Sequence, residues 1–100
     1  MGRRAARPKP LCLAEKLLQI RKALDLSQDG MLERLELGES FGRNRISSYE
    51  TDFREPPLPV LLRYAEVANV FVDVLIDDAL DLPSDLPSRK KHEGVKRSQP

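Results

Sequence analysis

Residues 43–50 read RNRISSYE, and in this segment two large apolar side chains, Ile46 and Tyr49, stand three apart among polar ones. That spacing puts both on one face of a helix and turns Arg43, Asn44, Ser47 and Ser48 to the opposite side. The outward set has a definite chemistry. A guanidinium can grip guanine through two parallel hydrogen bonds, a carboxamide can do the same to adenine, and a serine hydroxyl is a short donor or acceptor. Arg43 and Asn44 also have a plainer alternative at the start of such a helix, where they would cap it and touch a phosphate.

Other chemistry finds little support. His92 is the sole histidine and lies in a charged C-terminal stretch, which leaves no basis for His-based catalysis or a zinc site. Cys12 is the sole cysteine; it cannot form an internal disulfide and reads as a small packed residue rather than a nucleophile. Asp73, Asp77, Asp78 and Asp81 lack the spacing of a calcium loop and read as a solvated helix face. We therefore expect no enzymatic activity, no cofactor or metal, and no small-molecule ligand.

The elements that must position residues 43–50 can be traced from both sides. Leu13, Leu17, Ile20 and Leu24 recur at intervals of four, three and four, one face of a first amphipathic helix. Ser27 is a good N-cap for a second, with Gln28 and Asp29 in its first turn. Met31, Leu32 and Leu35 predict that this helix runs to about Leu37 and stops at Gly38. Gly30 within it costs roughly 1 kcal/mol relative to Ala. Residues 38–43 read as loop, in which Phe41 is expected to plug onto the core. A third helix starts near Arg43 or Asn44 and ends before Arg54. The stretch Glu55-Pro56-Pro57-Leu58-Pro59 is a rigid connector, and Pro59 suits the first turn of a fourth helix carrying Leu61, Leu62, Ala65 and Ala68. Val70-Phe71-Val72 resembles a strand, but with no second β-like run to pair with it we expect a turn and a brief fifth helix from Val72 to Asp78, burying Val74 or Leu75. The reading is an all-α domain of five helices over residues 11–80, between a basic arm at 1–10 and a charged tail at 81–100 that frays.

The chain of 100 residues has 40% apolar and 33% charged residues and five aromatics. This composition fits one small soluble domain with an aliphatic core. Neither a membrane span, a secretory signal nor a lipid anchor is legible, so we expect a cytoplasmic protein. The net charge of +1 conceals a division. Residues 1–10 carry +4 and residues 84–100 carry +3, whereas 11–83 carry −6. Basic ends around an acidic centre suit a polyanionic partner, although basic tails also simply keep chains soluble.

Taken in order, IRKALDLSQ, MLERL, ISSYE and PPLPVLLRYAEVANV followed by VLIDD resemble the lambda-repressor-like helix-turn-helix family of Cro/Xre type. The resemblance covers about residues 13–78. It implies a compact five-helix domain whose second and third helices form the helix-turn-helix, with the recognition helix, about 43–52, in the major groove of double-stranded DNA. By carry-over from matching positions, Arg43, Asn44 and Ser48 would read bases, with Arg45 and Ser47 next. Gln28 at the start of helix 2, and Arg54 beyond helix 3, would hold phosphates; for Arg54 a solvated loop charge is the alternative. Arg21 and Glu50 would form a salt bridge from helix 1 to helix 3, a structural role. The sequence departs from the family pattern at Glu36 and Asp52, where glycine is usual. It departs again between Leu35 and Ile46, where the turn is enlarged within GESFGRN. The resemblance implies a small repressor-like transcriptional regulator that is a homodimer on DNA, with helix 5 (Leu75, Ile76, Leu80) as the first guess for the interface. The alternative, from another class, is a protein-interaction module or antitoxin-type regulator on the same fold, with a protein partner and weak or no DNA reading.

Overall fold

A computed structural model describes residues 10–37, 42–86 and 94–96. Five helices follow in order: α1 (Leu13–Ala23), α2 (Gln28–Leu35), α3 (Arg43–Glu50), α4 (Leu58–Ala68) and α5 (Val72–Ile76). A two-residue strand β1 (Leu80–Asp81) pairs antiparallel with β2 (Val95–Lys96). The architecture is that of a small, mostly helical helix-turn-helix domain. Residues 1–9 of the basic arm, Gly38, the Phe41 plug and His92 lie outside the described residues.

The core is aliphatic apart from two tyrosines. Leu13, Leu17 and Ile20 of α1 meet Met31 and Leu35 of α2, Ile46 and Tyr49 of α3, Val60, Leu61, Tyr64, Ala65 and Ala68 of α4, then Val70, Val74 and Leu75. Each helix thus buries one stripe and leaves the other wet. α4 is the central stave, with five buried positions in eleven residues. Leu62, expected inside, is instead half exposed, because Leu61 and Ala65 take the inward stripe one residue away. Both Val74 and Leu75 are buried, so Leu75 cannot form an interface with another chain.

The helix ends differ from the expected ones in an instructive way. α2 stops at Leu35, earlier than Leu37, because Glu36 turns into the left-handed region with φ 54°. α3 ends at Glu50, and Asp52 has φ 63°. Phe53 N–H then donates to Ser48 C=O at 2.9 Å while Asp52 N–H donates to Tyr49 C=O at 3.4 Å, the paired closure of a Schellman turn. α1 closes the same way at Asp25, with Leu26 N–H on Arg21 C=O at 3.1 Å and Asp25 N–H on Lys22 C=O at 3.0 Å. Asn69 does so after α4. Four helices therefore end on left-handed residues, none of them glycine; two of them, Glu36 and Asp52, are positions where the family resemblance leads us to expect glycine.

A latch joins the two ends of the described fold. The Asp78 carboxylate accepts from Leu11 N–H at 2.9 Å and from Cys12 N–H at 3.0 Å, ahead of α1. Lys16, 2% exposed, returns the contact: its Nζ donates to Val74 C=O at 2.7 Å and Asp77 C=O at 3.0 Å at the end of α5. The aspartates expected as a solvated face are therefore corrected in part. Asp78 caps α1, and Asp77 Oδ1 accepts from Ala79 N–H at 2.9 Å. Residues 94–96, in the stretch expected to fray, return to β1. Gly94 makes this approach possible: it has φ 87°, and a Cβ there would lie 2.9 Å from Val74 Cγ2.

Candidate nucleic-acid interface

α3 is held in place by packing more than by its own propensity. Its N-cap, Gly42, offers no side-chain hydrogen bond, and its first turn has no acidic residue; an isolated helix of this length would not persist in water. Ile46 is completely buried and Tyr49 nearly so. The other side of the helix leaves Asn44 exposed and Arg45, Ser47 and Ser48 partly exposed. Arg43 opens the helix; its side chain lies outside the described residues. The structure thus brings Asn44, Arg45, Ser47 and Ser48 together along one short helix.

One hydroxyl is already committed. Ser48 Oγ donates to Asn44 C=O one turn back at 2.8 Å. With its proton engaged, Ser48 can offer a lone pair outward, so its range narrows from donor or acceptor to acceptor. Thr51 Oγ1 makes the same kind of bond to Ser47 C=O at 2.9 Å.

The last residue of α3 is fixed by a charged fork. Arg21 Nε meets Glu50 Oε2 at 2.7 Å and Arg21 Nη2 meets Oε1 at 3.0 Å. The remaining guanidinium nitrogen, Nη1, donates to Leu26 C=O at 3.0 Å. The Glu50 side chain is 4% exposed and that of Arg21 17%, so this pair is largely shielded from water and its geometry is bidentate. The bond to Glu50 raises the Arg21 pKa, against the opposing effect of burial. Tyr64 lies within the same field. Burial first, and then the charge of Glu50, push its hydroxyl pKa well up. The hydroxyls of Tyr49 and Tyr64 are buried with no hydrogen-bond partner among the described residues.

The phosphate candidates are placed differently from each other. Gln28 begins α2, whose Ser27 cap accepts from Gly30 N–H at 2.9 Å. Its Nε2 donates to Glu50 Oε1 at 3.3 Å, so the amide is turned toward α3. An anion at this helix N-terminus would share the Gln28 amide with Glu50, whose charge Arg21 offsets. Arg54 is exposed immediately beyond α3, and its N–H joins that of Phe53 on Ser48 C=O.

Three supporting side chains were not legible in the sequence. Arg63 Nε donates to Leu35 C=O at 2.8 Å and thereby caps the end of α2, while its other nitrogens meet Glu66 on α4 and Glu36 at 3.7 Å. Only its i,i+3 relation to Glu66 could have been seen beforehand. Lys16 and Asp78 had no local signal at all, since their partners lie about sixty residues away. Among the described residues no group of His, Cys, Asp and Glu could hold a metal ion, and no helix is long and apolar enough to cross a membrane.

Comparison with known proteins gives one point of reference. No protein-family profile matches the chain, and no solved structure does. Over 66 residues the chain is 30% identical to a protein of Bacillus subtilis (strain 168) described as HTH-type transcriptional regulator ImmR; the match covers 66% of this chain and 49% of that protein. The chain thus spans about half the length of the curated relative it matches.

Proposed function

We propose that this chain is a sequence-specific, DNA-binding transcriptional regulator of the lambda-repressor-like helix-turn-helix type, with α3 in the major groove and α2 across the phosphate backbone. The observation that carries the reading is the division of α3. Its back is buried through Ile46 and Tyr49, its last residue is forked to α1 through Arg21, and its front carries short polar side chains suited to base edges. The likeness to a helix-turn-helix regulator supports it from an independent direction. Arg43 and Asn44 would read purines, Ser48 would accept from an exocyclic amine, and Arg45 and Ser47 would flank them. Gln28 and Arg54 would hold phosphates and set the register. Two copies would occupy half-sites about 34 Å apart, and the protein would act in the cytoplasm.

A second reading, a protein-interaction module on the same fold, is favoured by the net −6 over residues 11–83 and by the engagement of Gln28 with Glu50. The two separate on salt. Selection from a pool of random duplexes, followed by titration across a salt series, should give an enriched sequence whose affinity falls steeply as salt rises. Replacing Arg43, Asn44 or Ser48 by Ala should each lose about 1–3 kcal/mol, with specificity relaxed at one base position. No enrichment, or affinity indifferent to all three changes, would overturn the DNA reading in favour of the second.

A further inference from the structure

We propose that α3 discriminates against DNA methylated on the exocyclic amines of adenine or cytosine, because hydroxyls on its outward stripe are held as acceptors. This discrimination rests on the DNA reading proposed above. Asn44, Ser48 and Thr51 recur at intervals of four and three along α3 and its C-cap, which puts them on one stripe opposite Ile46 and Tyr49. Asn44 and Thr51 are exposed and Ser48 partly so. At 1.5 Å per residue the stripe is about 10 Å long, enough to face about three base pairs at ~3.4 Å each. Both hydroxyl protons are engaged inside the helix. Ser48 Oγ donates to Asn44 C=O at 2.8 Å and Thr51 Oγ1 to Ser47 C=O at 2.9 Å. The main chain behind them is equally fixed: Thr51 N–H donates to Ser47 C=O at 3.1 Å, and the N–H groups of Phe53 and Arg54 both donate to Ser48 C=O. What Ser48 and Thr51 turn outward is therefore lone pairs.

The major groove gives such a surface few partners. Guanine and thymine offer it only acceptors, whereas adenine and cytosine carry a donor, the N6 or N4 amine. A lone pair set against guanine O6 or thymine O4 meets another lone pair. Ser48 could answer only by breaking its bond to Asn44 C=O. Each amine uses one hydrogen in Watson–Crick pairing and presents the other to the groove. In a paired base, a single methyl group on that nitrogen takes the place of the second hydrogen. The donor is then gone, and a carbon lies against the hydroxyl oxygen, whose lone pair is desolvated without a partner. A hydroxyl free to rotate would adapt by donating to another edge. One bonded to its own helix is held from doing so.

Methylated probes test the discrimination. The duplex enriched from the random pool is resynthesised with N6-methyladenine or N4-methylcytosine at one position at a time. Each probe is titrated with the full chain, with Ser48→Ala and with Thr51→Val. At one or more positions the wild type should bind the methylated duplex about tenfold more weakly than the unmethylated one. At that position Ser48→Ala or Thr51→Val should bind the two duplexes equally, since the acceptor is gone. A penalty owed to Asn44, whose carboxamide can also reach an adenine amine, persists in both variants and is thereby told apart. An enriched duplex that tolerates every amino methylation overturns the discrimination and leaves the proposed function standing. So does a penalty that neither substitution removes. Failure to enrich any duplex removes both.

Discussion

At the scale of single residues, the Arg21–Glu50 fork is the most consequential contact beneath α3. Removing the guanidinium leaves a carboxylate at 4% exposure with the Gln28 amide as its remaining side-chain donor among the described residues, and an orphaned buried charge costs far more than the pair contributes. Arg21→Ala should therefore lower stability by about 3 kcal/mol in a denaturant titration, whereas Arg54→Ala, on the surface, should stay within about 0.5 kcal/mol. Asp78 gives a prediction in pH. Hydrogen bonds from Leu11 and Cys12 N–H lower its pKa below the ordinary 3.8. A carboxylate with a depressed folded-state pKa stabilises the fold above its unfolded value and ceases to as pH falls through the folded one. The stability difference between the wild type and Asp78→Ala, of the order of 1 kcal/mol, should thus be full at neutral pH and close only below pH 3.8. Urea titrations at several pH values would show a difference that persists in strong acid if this assignment is wrong.

At the scale of elements, the helix stops hold the clearest sequence-dependent cost. Glu36 occupies a left-handed conformation that disfavours a Cβ, and its ion pair with Arg63 is long and exposed, so it offsets little. Glu36→Gly should raise stability by about 1 kcal/mol, visible as a higher melting temperature with α2 intact. How far the fold was legible follows from the same distinction between near and far. The helices could be read because Leu13, Leu17 and Ile20, or Ile46 and Tyr49, announce a buried face within a few residues. The stop of α2 was misplaced at Gly38 because glycine is the usual signal, while here Arg63, from a helix two elements later in the chain, caps Leu35 instead. Leu62 was misassigned because Leu61 and Leu62 are equally apolar and only packing decides which one turns inward. The β1–β2 pair was missed because Val95–Lys96 has no strand pattern; Gly94 allows the approach, and that depends on where Val74 sits. At the candidate site the identities of the outward side chains were readable, but not that the Ser48 hydroxyl already donates to Asn44 C=O, nor that Gln28 faces Glu50.

At the scale of the whole molecule, charge is distributed against expectation for a protein meeting phosphates, with −6 over residues 11–83 and +4 in the first ten. If the proposed DNA reading holds, the arm supplies much of the attraction. Deleting residues 1–10 should weaken duplex binding and reduce the slope of log affinity against log salt by up to about 3.6, while leaving the preferred sequence unchanged. A deletion that altered sequence preference but not the salt slope would show the arm acting on bases rather than as charge. The latch made by Lys16 and Asp78 has a different kind of consequence, concerning how the domain opens. Each end of the fold holds the other's loose backbone groups, so neither the first turn of α1 nor the end of α5 can fray without exposing a buried ammonium or a stranded pair of amides. Cutting this latch at either end should therefore loosen both the start of α1 and the end of α5, read as faster amide exchange in both segments at once.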